Sequence, residues 1–159
     1  MKRTSRVKSF IRCRPANKRE IETGDLKAKT IRCKPESAQV HVINGKNSTC
    51  FQADNVFSED ATQEEDYRRI AEPIEEDVIK GFSCVIFAYG QTGSGKTYTV
   101  LGTENNDGLF VNIGRQLIID NNYIFLSAYQ IYNEELKDLL NSNLLIKMYE
   151  SDSKNFEIP

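Results

Sequence analysis

The sequence predicts an α/β domain built on a mainly parallel sheet flanked by helices. Strand-like apolar runs alternate with helical segments along the 159 residues, in the order strand, helix, strand, helix, strand. The run at 84–89 is rich in β-formers and is bounded by Gly81 and Gly90, which is typical of a buried parallel strand. A glycine-rich loop and a helical segment follow that run directly.

Length and composition fit one soluble domain, or part of one. The chain is 39% hydrophobic and 28% charged, with a formal net charge of −2. Residues 1–34 hold twelve Lys and Arg against three acids, but only Phe10 interleaves with them. That pattern favours solvated lysines with a few nucleotide contacts over a nucleic-acid patch. Apolar runs are too short to span a bilayer and no secretory signal is expected, so we predict a cytoplasmic protein without a membrane or nucleic-acid partner.

Cysteine and histidine usage argues against a zinc site. The four cysteines are widely spaced, form no C-x-x-C pair and accompany a single histidine, His41. We predict reduced thiols at all four positions, which are Cys13, Cys33, Cys50 and Cys84.

The first third of the chain predicts a short strand and a small hairpin region. Residues 7–12 form the strand candidate, which ends before Pro15. Residues 31–33 and 39–43 form the hairpin region, and Asn44-Gly45 supplies turn chemistry.

The acidic segment that follows predicts a helix. Either Ser58 or Thr62 can cap it, and an apolar face with helical spacing runs toward Gly81. Pro73 interrupts the pattern, so we expect a kink or a restart of the helix there.

The last third predicts helix, strand and helix. A polar connection at 103–108 precedes a helix that runs through residue 117 and stops at Asn121-Asn122. Residues 123–132 form a second long apolar strand candidate, and Asn133 can cap a short helix after it.

The loop at 90–97 carries the clearest chemical signal. It matches the pattern G-x-x-x-x-G-K-[ST] and consists of Gly90, Gln91, Thr92, Gly93, Ser94, Gly95, Lys96 and Thr97. Its glycines permit left-handed dihedrals that turn backbone N–H groups toward a phosphate, and a helix starting near Lys96 adds unpaired amides. Lys96 is expected to reach the β- and γ-phosphates, and the Thr97 hydroxyl to join a Mg²⁺ shell. The alternative is a Gly/Ser-rich turn with an exposed lysine.

Several stretches of the chain together resemble the kinesin motor domain, a P-loop NTPase-type fold. They are residues 87–99, the Arg12-Cys13-Arg14-Pro15 stretch, residues 127–134 and 138–140, and residues 51–57 with Gln63 and Tyr67. The resemblance implies ATP and Mg²⁺ as ligands and microtubules as partner, with a location on the cytoskeleton. The polar connection at 103–108 and the loop variant favour the centromere-associated branch of the family.

By the same resemblance, Arg12, Arg14 and Pro15 flank the adenine and Tyr98 stacks on it. A ring one residue past Thr97 lies beside the phosphate cradle, and stacking on a base contributes about 1–3 kcal/mol in single-strand binders. Packing of Tyr98 on the core is the alternative interpretation.

The sequence also departs from the family pattern. The serine/arginine-rich first switch and the Asp-Leu-Ala-Gly second switch, which lie further along in kinesins, do not occur in it. We therefore expect an incomplete sheet, the N-terminal portion of a motor domain, and nucleotide binding by these residues without catalytic residues for hydrolysis. The full-length protein would be the ATPase. The alternatives are a non-hydrolysing ATP-binding or interaction module and, more distantly, a small-molecule kinase.

Overall fold

The computed structural model of the chain describes residues 7–23, 30–120, 124–146, 149–150 and 156–157. Two compact units are present, residues 1–117 and 118–159. The helices are α1 (Lys18–Glu22), α2 (Gln63–Asp66), α3 (Glu72–Ile79), α4 (Lys96–Val100) and α5 (Leu109–Asp120). The first strands are β1 (Phe10–Arg12), β2 (Ile31–Lys34), β3 (Gln39–Asn44), β4 (Asn47–Gln52) and β5 (Asn55–Phe57). The later strands are β6 (Gly102–Thr103), β7 (Asn106–Asp107), β8 (Tyr129–Tyr132), β9 (Glu135–Asp138), β10 (Leu144–Ile146), β11 (Tyr149–Glu150) and β12 (Phe156–Glu157).

The core of the first unit packs against a pair of parallel strands. β1 runs alongside β5, with Arg12 opposite Phe57, which confirms the last three residues of the predicted strand at 7–12. Phe57, Ile70, Ala71 and Leu109 are buried together beside this pair. The pair therefore places Arg12 at the edge of the core, at the end of its strand.

The predicted hairpin region is confirmed and is larger than expected. β2, β3 and β4 form an antiparallel sheet in that order, and β4 was not predicted. Asn44 pairs with Asn47, and Gly45 between them adopts φ +60°, a dihedral that glycine reaches without steric cost.

The acidic segment forms the predicted helix, which continues through its proline after a π-helical turn. The Thr62 side chain accepts a hydrogen bond from the Glu65 amide, so Thr62 is the cap. A π-helical turn at Tyr67–Ala71 separates α2 from α3. Pro73 directly follows that turn and the helix does not restart there; a π-helical turn is itself a place where a helix can kink.

The prediction of a mainly parallel sheet is wrong for the described residues. β1 and β5 form the parallel pair, whereas the other pairings between described strands are antiparallel. The predicted buried strand at 84–89 is also wrong, because residues 82–90 adopt no regular secondary structure and Phe87 is 89% exposed. Strands form by pairing backbone groups with a neighbour, and within the described residues this run has no strand beside it. Apolar composition alone does not bury it.

The helix predicted after Asn133 is wrong. β8 and β9 pair as a hairpin, and Asn133 and Glu134 form its loop with φ +50° and +65°. Positive φ at both loop residues suits the right-handed twist of the strands, and asparagine tolerates it better than most residues. β10 extends this sheet. The strand predicted at 123–132 is confirmed for its last four residues, while 124–128 is irregular. The predicted helix stop at Asn121-Asn122 lies outside the described residues, as does Tyr123.

The prediction of four reduced thiols is wrong for one pair. Cys13 and Cys33 form a disulfide, with their Cα atoms 7.2 Å apart. Twenty residues separate them in sequence, yet they lie close together in the fold, so wide spacing did not exclude contact. Cys50 and Cys84 are free, as predicted, and both are exposed, although Cys84 was expected on a buried strand.

Candidate nucleotide-binding site

A cavity of about 480 Å³ lies between the end of β1 and the start of α4, within the first unit. Seven of the predicted site residues line it, namely Arg12, Arg14, Pro15, Ser94, Gly95, Lys96 and Tyr98. The five that do not line it are Gly90, Gln91, Thr92, Gly93 and Thr97. The fold thus brings the Arg-x-Arg-Pro stretch and the glycine-rich loop to one cavity although about 80 residues separate them.

The loop requires glycine at particular positions. Gly93 and Gly95 adopt φ +79° and +97°, which side chains of other residues resist. A Cβ at Gly90 would lie 2.5 Å from the Ser94 hydroxyl oxygen. The Ser94 amide donates to the Gln91 carbonyl at 3.2 Å and closes the turn. These features fit a backbone shaped to approach a phosphate closely, as the sequence predicted.

Lys96 folds back onto the loop that precedes it. Its Nζ donates to the carbonyl oxygens of Gly90 and Gln91 at 2.8 and 2.9 Å. Lys96 is therefore partly buried against its own loop. α4 begins at Lys96 and has only five residues, so the loop amides contribute more to an anion cradle than the helix dipole does.

Thr97 is exposed on the first turn of α4, next to Lys96. The described residues contain no group of three or more His, Cys, Asp or Glu side chains able to hold a metal ion. A magnesium ion at Thr97 would therefore take its remaining ligands from phosphate oxygens and water, which is how Mg²⁺ commonly binds with nucleotides. Lys96 and the left-handed Gly95 beside it fit a phosphate group, whereas Thr97 lies outside the cavity lining.

Arg12 is held by protein groups rather than directed into open space. Its Nη1 donates to the Gln63 side-chain oxygen at 2.6 Å and to the Thr99 hydroxyl at 3.1 Å. Its Nη2 donates to the Ala61 carbonyl at 3.3 Å. The guanidinium carbon lies 5.0 Å from the centroid of the Tyr98 ring, within cation–π range.

Asp66 lies beneath Arg12 and was not predicted as part of the site. Its side chain is fully buried, and Oδ2 is 2.5 Å from Arg12 Nη1. Neither carboxylate oxygen makes a hydrogen bond of good geometry with a described residue, so charge attraction is the main link. Burial raises the pKa of Asp66 to about 6, with Glu65 adding to the rise and Arg12 opposing it.

Helical spacing is the signal that could have located this group. Gln63 and Asp66 are three residues apart at the start of a capped helix, so their side chains lie on one face. Two polar side chains on a face that packs against the core indicate a partner from another element. The sequence does not show that this partner is Arg12.

Arg14 forms a separate ion pair at the rim of the cavity. Its two terminal nitrogens bind the two carboxylate oxygens of Glu20 at 2.8 and 2.5 Å. Glu20 also accepts from the Asn17 amide as part of a capping box on α1. The Arg14 hydrogen bond, followed by the Asn17 amide, lowers the pKa of Glu20 to about 2, and the same contact raises the pKa of Arg14.

Tyr98 lies next to Arg12 at the cavity wall. Tyr98 is 40% exposed. Its backbone carbonyl accepts a hydrogen bond of 2.5 Å from Gln63 Nε2. Gln63 therefore joins the Tyr98 backbone to the Arg12 guanidinium.

Comparison with known proteins identifies clear relatives. A family model described as the kinesin motor domain matches residues 12–159. The Kinesin-like protein KIF24 of Mus musculus is 35% identical over 86% of this chain and 11% of its own length. The Kinesin-like protein CIN8 of Eremothecium gossypii is 32% identical over 91% of this chain and 18% of its own length. The Kinesin-like protein bimC of Emericella nidulans is 32% identical over 91% of this chain and 14% of its own length.

The chain spans less than a fifth of the length of each of these relatives. Within the described part of the chain, helices are too short or too polar to cross a membrane.

Proposed function

Because the chain belongs to the kinesin motor-domain family, we propose that its cavity binds MgATP and that it forms the nucleotide-binding part of a microtubule motor. The geometry of the loop at 90–97 carries this proposal. Gly95, which has a left-handed φ, and Lys96, which folds back onto its own loop, border one side of a cavity large enough for a nucleoside triphosphate. The chemistry of the lining residues indicates which part of the ligand lies where.

The triphosphate belongs on the loop side of the cavity. Lys96 supplies the positive charge there, and the backbone amides of Gly95 and Lys96, the loop residues of the lining whose amides are not bonded within the turn, supply N–H donors. The base belongs on the side of Pro15 and Tyr98, where an apolar ring and an aromatic ring border the cavity. Magnesium, when bound, neutralises charge between adjacent phosphates.

The activity proposed for the motor as a whole is taken from the family to which the chain belongs. We propose that it couples ATP hydrolysis to movement along microtubules and resides on the cytoskeleton. The 159 residues supply the nucleotide cradle in this scheme and bind MgATP without hydrolysing it.

Substitution of the loop lysine tests the proposal. We expect Lys96→Ala to lower ATP affinity by about a hundredfold or more, because each charge-assisted hydrogen bond contributes roughly 1.5–3 kcal/mol. Calorimetric titration of the chain with MgATP measures the affinity, and far-UV circular dichroism checks that the fold is retained.

Lys80→Ala is the matched control, because Lys80 lies outside the cavity and pairs with Glu76 on α3 at 3.3 Å. ATP affinity should not change in this variant. Equal ATP affinity in Lys96→Ala and the unmodified chain would contradict the proposal.

A further inference from the structure

We propose that Arg12 is a positioning residue for the nucleobase: held by Gln63 and Asp66, it fixes the ring of Tyr98 and does not itself contact the base. The inference rests on the proposed function, since it concerns how the same cavity recognises its ligand. It differs from the role that family resemblance implies, in which Arg12 flanks the adenine directly. It also gives a role to two buried polar residues that the sequence did not assign to the site.

The hydrogen bonds of Arg12 show why it is not available to a base. Its two terminal nitrogens point to acceptors on Gln63, Thr99 and the Ala61 carbonyl, which belong to α2, α4 and the connection before α2. The Arg12 side chain is only 16% exposed. Reaching a ligand would break several of these bonds and leave buried acceptors unsatisfied, which is costly.

The same contacts define the orientation of Tyr98. The guanidinium lies 5.0 Å from the ring centroid and covers one face of the ring. Gln63 fixes the backbone of Tyr98 through a hydrogen bond to its carbonyl. A ring that is supported on one face and 40% exposed can offer its other face to a planar base.

Asp66 explains why the guanidinium stays in this position. A fully buried carboxylate without a well-formed hydrogen bond needs a nearby cation, and Arg12 Nη1 is 2.5 Å away. Gln63 and Asp66 lie three residues apart on α2 and approach Arg12 from the same helix. α2 therefore holds Arg12, and Arg12 supports Tyr98.

A double-mutant cycle on the full chain separates positioning from direct contact. The variants are Arg12→Lys, Tyr98→Ala and the combination, each titrated with MgATP and with magnesium tripolyphosphate, which lacks a base. Arg12→Lys keeps the charge but loses the planar fork that engages several acceptors. We expect it to weaken ATP binding about tenfold, within the range of a lost base stack, and to leave tripolyphosphate binding within about twofold.

Coupling between the two sites is the decisive readout. If Arg12 acts through Tyr98, Arg12→Lys causes no further loss of ATP affinity in the Tyr98→Ala background. A further loss of similar size in that background would show direct contact with the base and overturn the inference. Equal losses for ATP and tripolyphosphate would also overturn it, because they would indicate a general structural role.

Two more variants keep the test usable. Arg68→Lys, on an exposed residue paired with Glu64, is the matched control and should change neither affinity. If Arg12→Lys does not fold, Gln63→Met takes its place in the cycle, because it keeps the side-chain length but removes both hydrogen bonds. The same outcomes then support or overturn the inference. Failure of the unmodified chain to bind either ligand would instead refute the proposed function, so the two failures are distinguishable.

Discussion

Two apolar segments of the first unit differ in burial. β5 contains a phenylalanine, Phe57, that is 1% exposed, whereas Phe87 in the longer and more apolar run at 84–89 is 89% exposed. β5 pairs with β1, and the Phe57 carbonyl accepts a hydrogen bond from the Cys13 amide at 2.9 Å. The run at 84–89 has no paired strand among the described residues. Burial therefore follows the neighbouring strand and not the number of apolar residues.

The same contrast divides the proposed site. Residues on the base side are connected across three elements by the side chains of Arg12 and Gln63. The phosphate side follows the unpaired run, and Lys96 binds carbonyls of its own loop. Long-range contacts thus stabilise one side of the cavity and local contacts the other.

Truncation of the two phenylalanines should give the largest difference in stability between the two segments. Phe57→Ala is expected to lower the free energy of unfolding by about 3–5 kcal/mol, because it leaves a cavity in the core. Phe87→Ala, its matched control, is expected to change the free energy by less than about 0.5 kcal/mol, as surface substitutions usually do. Urea unfolding measures both. Comparable losses in the two variants would mean that 84–89 is buried in solution.

Removal of the buried carboxylate should have an intermediate, pH-dependent effect. The pKa of Asp66 is raised to about 6 in the folded chain, from an ordinary value of 3.8. The stability it contributes is therefore fully present below pH 3.8 and is lost as pH rises through 6. We compare the unfolding free energy of Asp66→Asn with that of the unmodified chain. The difference, variant minus unmodified, should rise by on the order of 2 kcal/mol between pH 4 and pH 7.5.

Urea unfolding at pH 4, 5, 6 and 7.5 measures this difference. Asp60→Asn removes an exposed carboxylate from the same acidic segment and is the matched control. A difference between Asp66→Asn and the unmodified chain that stays constant over this range would show that Asp66 is not buried as described.

The smallest effect is expected at the exposed ion pair. Arg14 and Glu20 are 30% and 36% exposed, in contrast to Arg12 and Asp66. Glu20→Gln should lower Tm by no more than about 2 °C, because solvent screens exposed pairs. Differential scanning calorimetry measures Tm, with Glu22→Gln on the same helix as control. A much larger drop would place Arg14 among the residues that stabilise the fold.

Local chemistry made part of the fold predictable. The glycine-rich loop and the Thr62 cap each depend on a few neighbouring residues, so the sequence predicts them well. The absence of pairing at 84–89 and the contact between Arg12 and Asp66 depend on residues that are distant in sequence. At Asn133 the sequence did not distinguish a hairpin from a helix start, because asparagine serves both as a turn residue and as a helix cap.

Lys96 Nζ, the main cation of the loop, already donates hydrogen bonds to two carbonyl oxygens of that loop, at 2.8 and 2.9 Å. An anion that binds Lys96 has to displace these oxygens. Its binding free energy is therefore the difference between its own contacts with Lys96 and the two carbonyl contacts that are lost. A single phosphate offers little beyond what the carbonyls already provide. If the loop binds MgATP as proposed, three phosphates would also reach the amides of the turn, so displacement of the carbonyls would favour a polyphosphate over a single phosphate.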